Sequence, residues 1–212
     1  NLLYLITTFQ NDGPGNVLLN LVRNLPRESY NIYVACLYRP GKIQGLIDNE
    51  GIKTFNVNQK GLLKGWLDVY AINKIRNILI KHHIDIIHTH LIRADIYGKI
   101  AAIKNNTPII ISTIHNLDFF RIEKKYLLLK LLDSYLSRYN HKIITVSNCV
   151  MEFTSYNQNI PLDKFVTIYN SINIEQFKPL SKNNNKITVG FLGRLHKQKD
   201  LPTLLKAAAI IN

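Results

Sequence analysis

Hydrophobic positions along the chain form short apolar runs that alternate with longer amphipathic stretches. Several runs are continuously apolar over roughly four to eight residues, which is typical of strands buried on both faces of a parallel sheet. The predicted strands are LLYLIT, YNIYVACLY, IKTFNV, IDIIHTH, PIIIST, HKIITVS and FVTIYN. Because helical patterns lie between them, so that the order strand, helix, strand repeats six times, the chain is predicted to be an α/β protein with a doubly wound, mostly parallel sheet.

The amphipathic stretches between these runs have the spacing of helices that lie on a sheet. Ile72, Ile75 and Ile78, for example, recur on one side of a helix with basic residues between them. The predicted helices lie within residues 16–25, 42–50, 67–83, 93–105, 123–139 and 149–157.

The pattern changes at about Pro179, which we take as the end of a first domain formed by residues 1–179. Residues 180–186 are polar, have no apolar period and are predicted to be a linker. Residues 187–212 contain a strand (ITVGFL), a basic turn and a helix, the first β-α unit of a second domain. At roughly 150 residues per domain the length corresponds to about 1.4 domains, so we expect a truncated piece of a longer protein.

The composition of the chain is that of a globular protein with a strong positive net charge. Hydrophobic residues make up 46% of the chain and charged residues 19%, and 27 Lys and Arg against 14 Asp and Glu give +13. This balance favours an anionic partner such as nucleic acid, a membrane surface or a phosphorylated small molecule, although a general bias towards Lys would produce it too. The two cysteines, Cys36 and Cys149, form neither a disulfide framework nor a zinc motif, which fits a reducing cytosol.

The first predicted turn, FQNDGPGNVLLNL, leads from a strand end into a helix. Ligands of open α/β sheets bind at the carboxyl ends of the strands, and a helix start attracts anions. Gly13 and Gly15 would let the backbone approach a ligand closely, or would simply permit a tight turn. The turn is not a dinucleotide fingerprint, because that motif needs glycine where the chain has Leu18, and it is not a phosphate loop.

Three histidines fall at predicted strand ends on the same edge. His88 and His90 are two residues apart on a predicted strand, so their side chains point to one face of the sheet. This placement fits a metal pair, hydrogen-bonding groups or groups that contact a ligand. No convincing third metal ligand is present, and the chain lacks a D-x-D pair. His115 can donate a proton or a hydrogen bond near neutral pH, so it is a candidate for substrate contact or an ordinary loop residue.

Two basic segments remain. Arg194, Lys197 and Lys199 lie between a strand end and a helix start, where a diphosphate would be held well, or where a solvated turn would also place them. Residues 119–142 combine leucines with cations and could lie on anionic lipid, or pack on the sheet as any amphipathic helix does. The cations of this segment are Arg121, Lys124, Lys125, Lys130, Arg138 and Lys142.

Taken in order, the motifs resemble glycosyltransferase family 4 of the GT-B enzymes. The matching pieces are DGPGNVLLNL, IDIIHTH, ISTIHN, KIITVS, FVTIYNSINIEQFKP and GFLGRLHKQKDLPTLLKAA, which extend over essentially the whole chain. The resemblance implies two Rossmann-like domains facing a cleft, of which the first holds the acceptor and the second the nucleotide-sugar. This chain would be the first half of that architecture, and we expect it to be inactive alone.

The resemblance also implies roles for individual residues. Arg194 and Lys199 would bind the donor diphosphate in place of a metal, so neither metal nor cofactor is expected. Gly13 and Gly15 match the glycine turn near the donor phosphates and the acceptor, and His115 matches a catalytic-site histidine near the transferred sugar.

The chain departs from the family pattern in three places. Ser171 and Asp200 replace residues that are usually glycine. The E-x7-E region that handles the donor sugar would lie beyond Asn212.

The sequence and this resemblance therefore predict a hexosyltransferase that moves a sugar from a nucleotide-sugar to a hydroxyl acceptor in polysaccharide or glycolipid synthesis. Retention of configuration is implied by the resemblance alone. We expect it in the cytoplasm, either free or peripheral on the inner face of the cell membrane. Alternatives are another GT-B enzyme, such as a sugar-nucleotide epimerase, or a non-catalytic basic module that binds anionic lipid or nucleic acid. No recognisable nucleic-acid motif supports the last of these, so no nucleic-acid partner is expected.

Overall fold

The computed structural model describes residues 1–38, 40–57, 68–117, 127–177, 188–193, 195 and 199–211. The chain divides into two compact units, residues 1–172 and residues 173–212. The predicted linker, residues 180–186, lies outside the described residues, so the predicted domain limits stay predictions.

The first unit is built on a parallel sheet of seven strands in the order β3-β2-β1-β4-β5-β6-β7. All seven predicted apolar runs form strands, which confirms the predicted α/β fold class. The strands are β1 Leu2–Ile6, β2 Ile32–Cys36, β3 Lys53–Asn56, β4 Ile86–His90, β5 Ile109–Ile114, β6 Lys142–Thr145 and β7 Phe165–Thr167.

The predicted helices of this unit are also present. They are α1 Gly13–Asn24, α2 Lys42–Asn49, α3 Val69–Lys81, α4 Ile92–Asn105, α5 Leu127–Ser137 and α6 Asn148–Gln158. Short 3-10 turns form at Leu162–Lys164 and Ile174–Gln176. Among the described residues, no helix combines the length and the apolarity that crossing a membrane requires.

Helices cover the sheet on two faces, and the alternation of side chains along β1 defines both. Leu2, Tyr4 and Ile6 pack with the buried side of α1 and α2, and we call this side the α1–α2 face. Leu3 and Leu5 pack with α3 and α4 on the opposite, α3–α4 face. Because both faces of the central strands are buried, their sequences are almost entirely apolar.

Helix α4 lies very close to the sheet at Gly98. A Cβ atom at this position would lie 2.6 Å from Thr89 Cγ2 and 2.9 Å from a methyl carbon of Leu5. The absence of a side chain therefore allows the close packing of α4 against β1 and β4.

A buried polar network surrounds Lys99, one turn from Asp95 on α4. The Lys99 ammonium lies 2.7 Å from an Asp95 oxygen, 3.5 Å from Asp133 Oδ1 and 3.1 Å from Ser137 Oγ. Lys99 and Asp133 are each 1% exposed. The network continues through hydrogen bonds from Thr89 and Ser112 to Asp95, from Asn140 to Ser112 and from Gln158 to Asp133. It joins helices α4, α5 and α6 to β4 and β5.

The second unit contains helix α7, Leu201–Ile211, which begins directly after Asp200 as predicted. The strand predicted at ITVGFL is wrong for its described part, because residues 188–193 form no strand. A strand is stabilised by hydrogen bonds to a neighbouring strand, and the described part of this unit supplies no second strand for it to pair with.

Candidate functional site at the carboxyl edge of the sheet

The order of strands reverses between β1 and β4, which are neighbours in space. In open α/β sheets ligands bind outside the carboxyl ends of the strands at such a switch point. The glycine turn follows β1, His90 ends β4, and His115 directly follows β5. These predicted site residues of the first unit therefore meet at one edge of the sheet.

The glycine turn belongs to the helix itself, because α1 begins at Gly13 and not at Asn16 as the pattern predicted. The Asp12 side chain accepts a hydrogen bond of 3.0 Å from the Gly15 N–H, and Pro14 occupies the first turn. A carboxylate thus already takes up one of the free N–H groups. A ligand anion at this helix start would have to overcome the charge of Asp12.

Gly13 and Gly15 have different surroundings. Gly15 is buried, and a Cβ atom there would lie 2.2 Å from the Gln10 carbonyl oxygen, so the chain's own backbone requires glycine. Gly13 is exposed and has no atom within 4 Å of its Cβ position. The tight-turn interpretation therefore accounts for Gly15, whereas Gly13 leaves room for a ligand.

The strand register brings the three histidines together on the α1–α2 face. His88 pairs with Tyr4, which lies on that face, and His90 pairs with Thr113 of β5, two residues before His115. His90 Nδ1 lies 2.9 Å from His115 Nε2, and His88 Nε2 lies 2.7 Å from Thr113 Oγ1. The rings of His88 and His90 are 4.5 Å apart between centroids.

Burial makes all three histidines weak bases. Desolvation lowers the pKa of His88 to about 3 and holds the pKa of His90 well below its ordinary value. It lowers the pKa of His115 to about 4, although the nearby Asp12 carboxylate offsets part of this effect. At neutral pH the cluster is uncharged, so these rings donate and accept hydrogen bonds and do not attract anions as cations would.

Two ring nitrogens of this cluster are buried without a hydrogen-bond partner among the described residues: His90 Nε2 and His115 Nδ1. A buried polar atom without a partner costs about 1–3 kcal/mol, and such atoms are few in native structures. Within the described part of the chain, no group of three or more His, Cys, Asp or Glu side chains, these histidines included, is arranged so that it could hold a metal ion.

A cation that the sequence analysis did not single out lies at the same edge. Arg93, in the first turn of α4, donates a hydrogen bond to the Tyr38 hydroxyl, and its guanidinium carbon lies 5.7 Å from the Tyr38 ring centroid. Arg93 is exposed and forms no ion pair with any described carboxylate. Its place right after the IDIIHTH run was the one signal for it in the sequence.

Residues 11–176 match the sequence profile described as Glycosyltransferase Family 4, which is more than half of the chain. The chain belongs to glycosyltransferase family 4.

One curated relative of this family 4 chain is UDP-Gal:alpha-D-GlcNAc-diphosphoundecaprenol alpha-1,3-galactosyltransferase of Escherichia coli. It is 25% identical over 216 aligned positions, which cover 94% of this chain and 54% of the relative. The chain thus spans about half the length of that relative.

Solved structures show the same fold at lower identity. HepE of Anabaena, solved with UDP and glucose, has a TM-score of 0.65 at 17% identity and matches 84% of this chain and 46% of its own. The lipopolysaccharide outer core galactosyltransferase WaaB has a TM-score of 0.65 at 15% identity over 94% of this chain and 56% of its own. UDP-GlcNAc 2-epimerase of Neisseria meningitidis is more distant, with a TM-score of 0.55 at 12% identity over 80% of this chain and 46% of its own.

The donor-side residues implied by the family pattern lie in the second unit. Lys199 is exposed, whereas Arg194 and Lys197 lie outside the described residues. Asp200, which stands where family 4 members usually have glycine, has a φ of +45°. This left-handed conformation favours glycine, and Asp is among the residues that tolerate it best.

The other departure from the family pattern has a different explanation. Ser171 is not among the described residues with positive φ, so its backbone does not need glycine. Its carbonyl oxygen accepts a hydrogen bond of 3.3 Å from Asn20 on α1.

Proposed function

We propose that this chain forms the acceptor-side part of a retaining glycosyltransferase that transfers a hexose from a UDP-sugar to a hydroxyl group. One observation supports this best. A family 4 chain holds the neutral, hydrogen-bonded pair His90 and His115 at the switch-point edge, and His115 is partly exposed there. Neutral imidazoles suit sugar hydroxyls, which both donate and accept hydrogen bonds.

In this proposal His115 contacts the transferred sugar, and Arg194 and Lys199 bind the diphosphate of the donor. Their charges would offset the negative charge that grows on the leaving nucleotide, so the reaction would need neither a metal ion nor a cofactor. UDP is the proposed nucleotide because the Escherichia coli relative is named for UDP-Gal and HepE was solved with UDP.

We propose a lipid-linked or cell-surface acceptor, with the first unit lying against an anionic membrane. Helix α5 supports this, because its buried side includes the polar residues Asp133 and Ser137 and several of its apolar side chains are exposed. Leu128 is 83% exposed, and Leu127, Leu131 and Tyr135 are each more than half exposed. The cations predicted at residues 121–125 lie outside the described residues, and Arg138 is exposed at the end of the helix. A leucine surface beside basic residues is the pattern of a helix that lies in a membrane interface.

A sugar-nucleotide epimerase is the second candidate, favoured by the fold likeness to the Neisseria meningitidis enzyme. The two functions differ in their products. If the complete enzyme is an epimerase, its incubation with UDP-hexoses alone gives an epimerised nucleotide-sugar. If it is a glycosyltransferase, free UDP accumulates only when an acceptor hydroxyl is present.

The donor site is tested by Lys199→Ala in the complete enzyme. We expect transfer to fall roughly 100-fold, because an ammonium that stabilises charge on the leaving diphosphate contributes most in the transition state. The matched control is Lys206→Ala, an exposed lysine on α7. Turnover is measured as UDP release, and folding by circular dichroism. Wild-type turnover in Lys199→Ala, and in the parallel Arg194→Ala variant, would refute the proposed donor site.

The glycine turn is tested by comparing Gly13→Ala with Gly15→Ala. The added methyl of Gly15→Ala meets the Gln10 carbonyl, so we expect a loss of about 1–3 kcal/mol in the free energy of unfolding. The added methyl of Gly13→Ala would contact no other part of the described chain, so the stability of this variant should be near that of the wild type. If a ligand approaches Gly13, the KM for donor or acceptor should rise in this stable variant. Unchanged KM values for both donor and acceptor would show that Gly13 does not contact a ligand.

A further inference from the structure

We infer that His90 is a positioning residue for His115: it holds the His115 ring in place and sets which tautomer that ring presents to the substrate. This inference deepens the proposed function, because it assumes that His115 contacts the sugar. The hydrogen bond on which it rests is a feature of the described fold itself.

The geometry makes His90 a rigid support. His90 is 0% exposed, and it ends a strand that is paired on both sides, with β1 and with β5. His115 lies just after the last residue of β5, where the pairing has ended. The bond of 2.9 Å from His90 Nδ1 to His115 Nε2 therefore ties a residue outside the strand to one inside it.

The protonation state of the pair gives this bond a further consequence. Both rings are neutral near pH 7, since burial lowers both pKa values, and a neutral imidazole carries one N–H and one lone pair. The bond between them thus contains one proton. If His90 donates it, His115 carries its own proton on Nδ1 and presents a donor. If His115 donates it, Nδ1 is bare and presents an acceptor.

The tautomers of the two rings are therefore linked. In either arrangement His115 Nδ1 has no hydrogen-bond partner among the described residues, and His90 determines whether this atom carries a proton. A sugar hydroxyl can bind either tautomer of His115. It accepts a hydrogen bond from Nδ1 when that atom carries the proton, and it donates one to Nδ1 when that atom is bare. The loss of His90 would leave both tautomers of His115 accessible and its ring free to turn.

His88 offers a matched control two residues earlier on the same strand. It is also buried, and it also makes one hydrogen bond, but its Nε2 is bonded to Thr113 and not to His115. A phenylalanine at either position replaces the imidazole by a somewhat larger aromatic ring and removes one hydrogen bond, so the two variants carry the same steric change. Only the His90 substitution removes the bond to His115.

The first experiment does not depend on activity. Histidine labelled with the heavy nitrogen isotope is incorporated into the complete protein, and the His115 ring signals are assigned with a His115→Gln variant. We expect one dominant tautomer of His115 in the wild type, a changed tautomer ratio in His90→Phe and an unchanged ratio in His88→Phe. The same ratio in His90→Phe as in the wild type would overturn the inference.

The second experiment measures kcat and KM for transfer. In His90→Phe we expect kcat to fall about 10- to 100-fold, the range typical when a group that orients a functional imidazole is removed. His90→Asn should restore most of kcat because its amide lies near the position of Nδ1, whereas His90→Gln should not because its amide lies near Nε2. His88→Phe should lower kcat much less than His90→Phe, because it keeps the bond between His90 and His115. Equal losses of kcat in the His88→Phe and His90→Phe variants would contradict a positioning role for His90.

The two experiments separate failure of the inference from failure of the proposed function. If the tautomer ratio shifts in His90→Phe but no UDP-sugar supports transfer in the wild type, His90 positions His115 and the proposed function is wrong. If transfer occurs and is insensitive to His90, the positioning role is wrong and the glycosyltransferase assignment stands.

Discussion

At pH 5 the chain should unfold at a much lower urea concentration than at pH 7.5, because protons bind its unfolded state more tightly than its folded state. His88, His90 and His115 have folded pKa values far below the ordinary value near 6.5. In the unfolded chain these histidines regain ordinary pKa values and take up protons as the pH falls. Their contribution to stability is therefore complete well above pH 6.5 and is lost as the pH falls from 6.5 towards 4.

The size of this effect follows from the same values. For a histidine with a folded pKa of about 4 or less, the loss at pH 5 is about 2 kcal/mol relative to neutral pH. His88 and His115, which have such values, lose roughly 4 kcal/mol together, and His90 adds to the loss in the same direction, against a stability of about 5–15 kcal/mol for many domains. Urea titrations at pH 7.5, 6.5, 5.5 and 5 would measure it.

Two variants identify the histidines responsible. His88→Gln removes one titrating ring and can keep the bond to Thr113, so it should reduce the loss of stability at pH 5 by about 2 kcal/mol. His83→Gln replaces an exposed histidine and should leave the pH dependence as it is. A stability that does not change between pH 7.5 and pH 5 would show that the cluster is not buried and neutral in solution.

Replacing Lys99 with methionine should destabilise the first unit by about 3–5 kcal/mol, although methionine is apolar and similar in length. The substitution removes the ammonium that lies 2.7 Å from Asp95 and 3.5 Å from Asp133, both of which are buried. A buried carboxylate that loses its cation keeps the cost of desolvation without the compensating attraction. The loss thus comes from the remaining carboxylates and not from the packing of Met.

The control for this prediction lies on the same helix. Lys104 of α4 is exposed, so Lys104→Met should change the free energy of unfolding by no more than about 0.5 kcal/mol. For Lys99→Met, the melting temperature should fall by on the order of 10 °C. Combining it with Asp95→Asn should restore part of the loss by removing one of the uncompensated charges. Equal melting temperatures for the two single variants would contradict the importance of the buried ion pairs.

Lys99 also shows where sequence reasoning reaches its limit. Its helical stretch, residues 93–105, is predictable from period alone, but nothing local separates the buried Lys99 from the exposed Lys104. The partners of Lys99 come from α5 and from a helix turn away on α4, and burial follows only when α5 packs beside α4. Helix α5 shows the same limit, because its acidic residue Asp133 is buried whereas its apolar residue Leu128 is exposed.

The candidate site was accessible to sequence reasoning in part. His115 and the glycine turn could be placed at the carboxyl edge because parallel strands all end on one side. The bond between His90 and His115 could not be predicted, since it depends on β4 and β5 being neighbours and on their register. The competing charge of Asp12 was missed because α1 begins three residues earlier than its apolar period indicates.

The sequence by itself determined the α/β class, the seven strands of the first unit and the family resemblance. These depend on local patterns: continuous apolar runs, helical periods and motifs within single turns. Only the tertiary structure decided which polar groups are buried together, which glycine leaves room for a ligand and which histidine supports another. The physical reason is that burial, desolvation and hydrogen bonding between strands depend on neighbours distant in the chain.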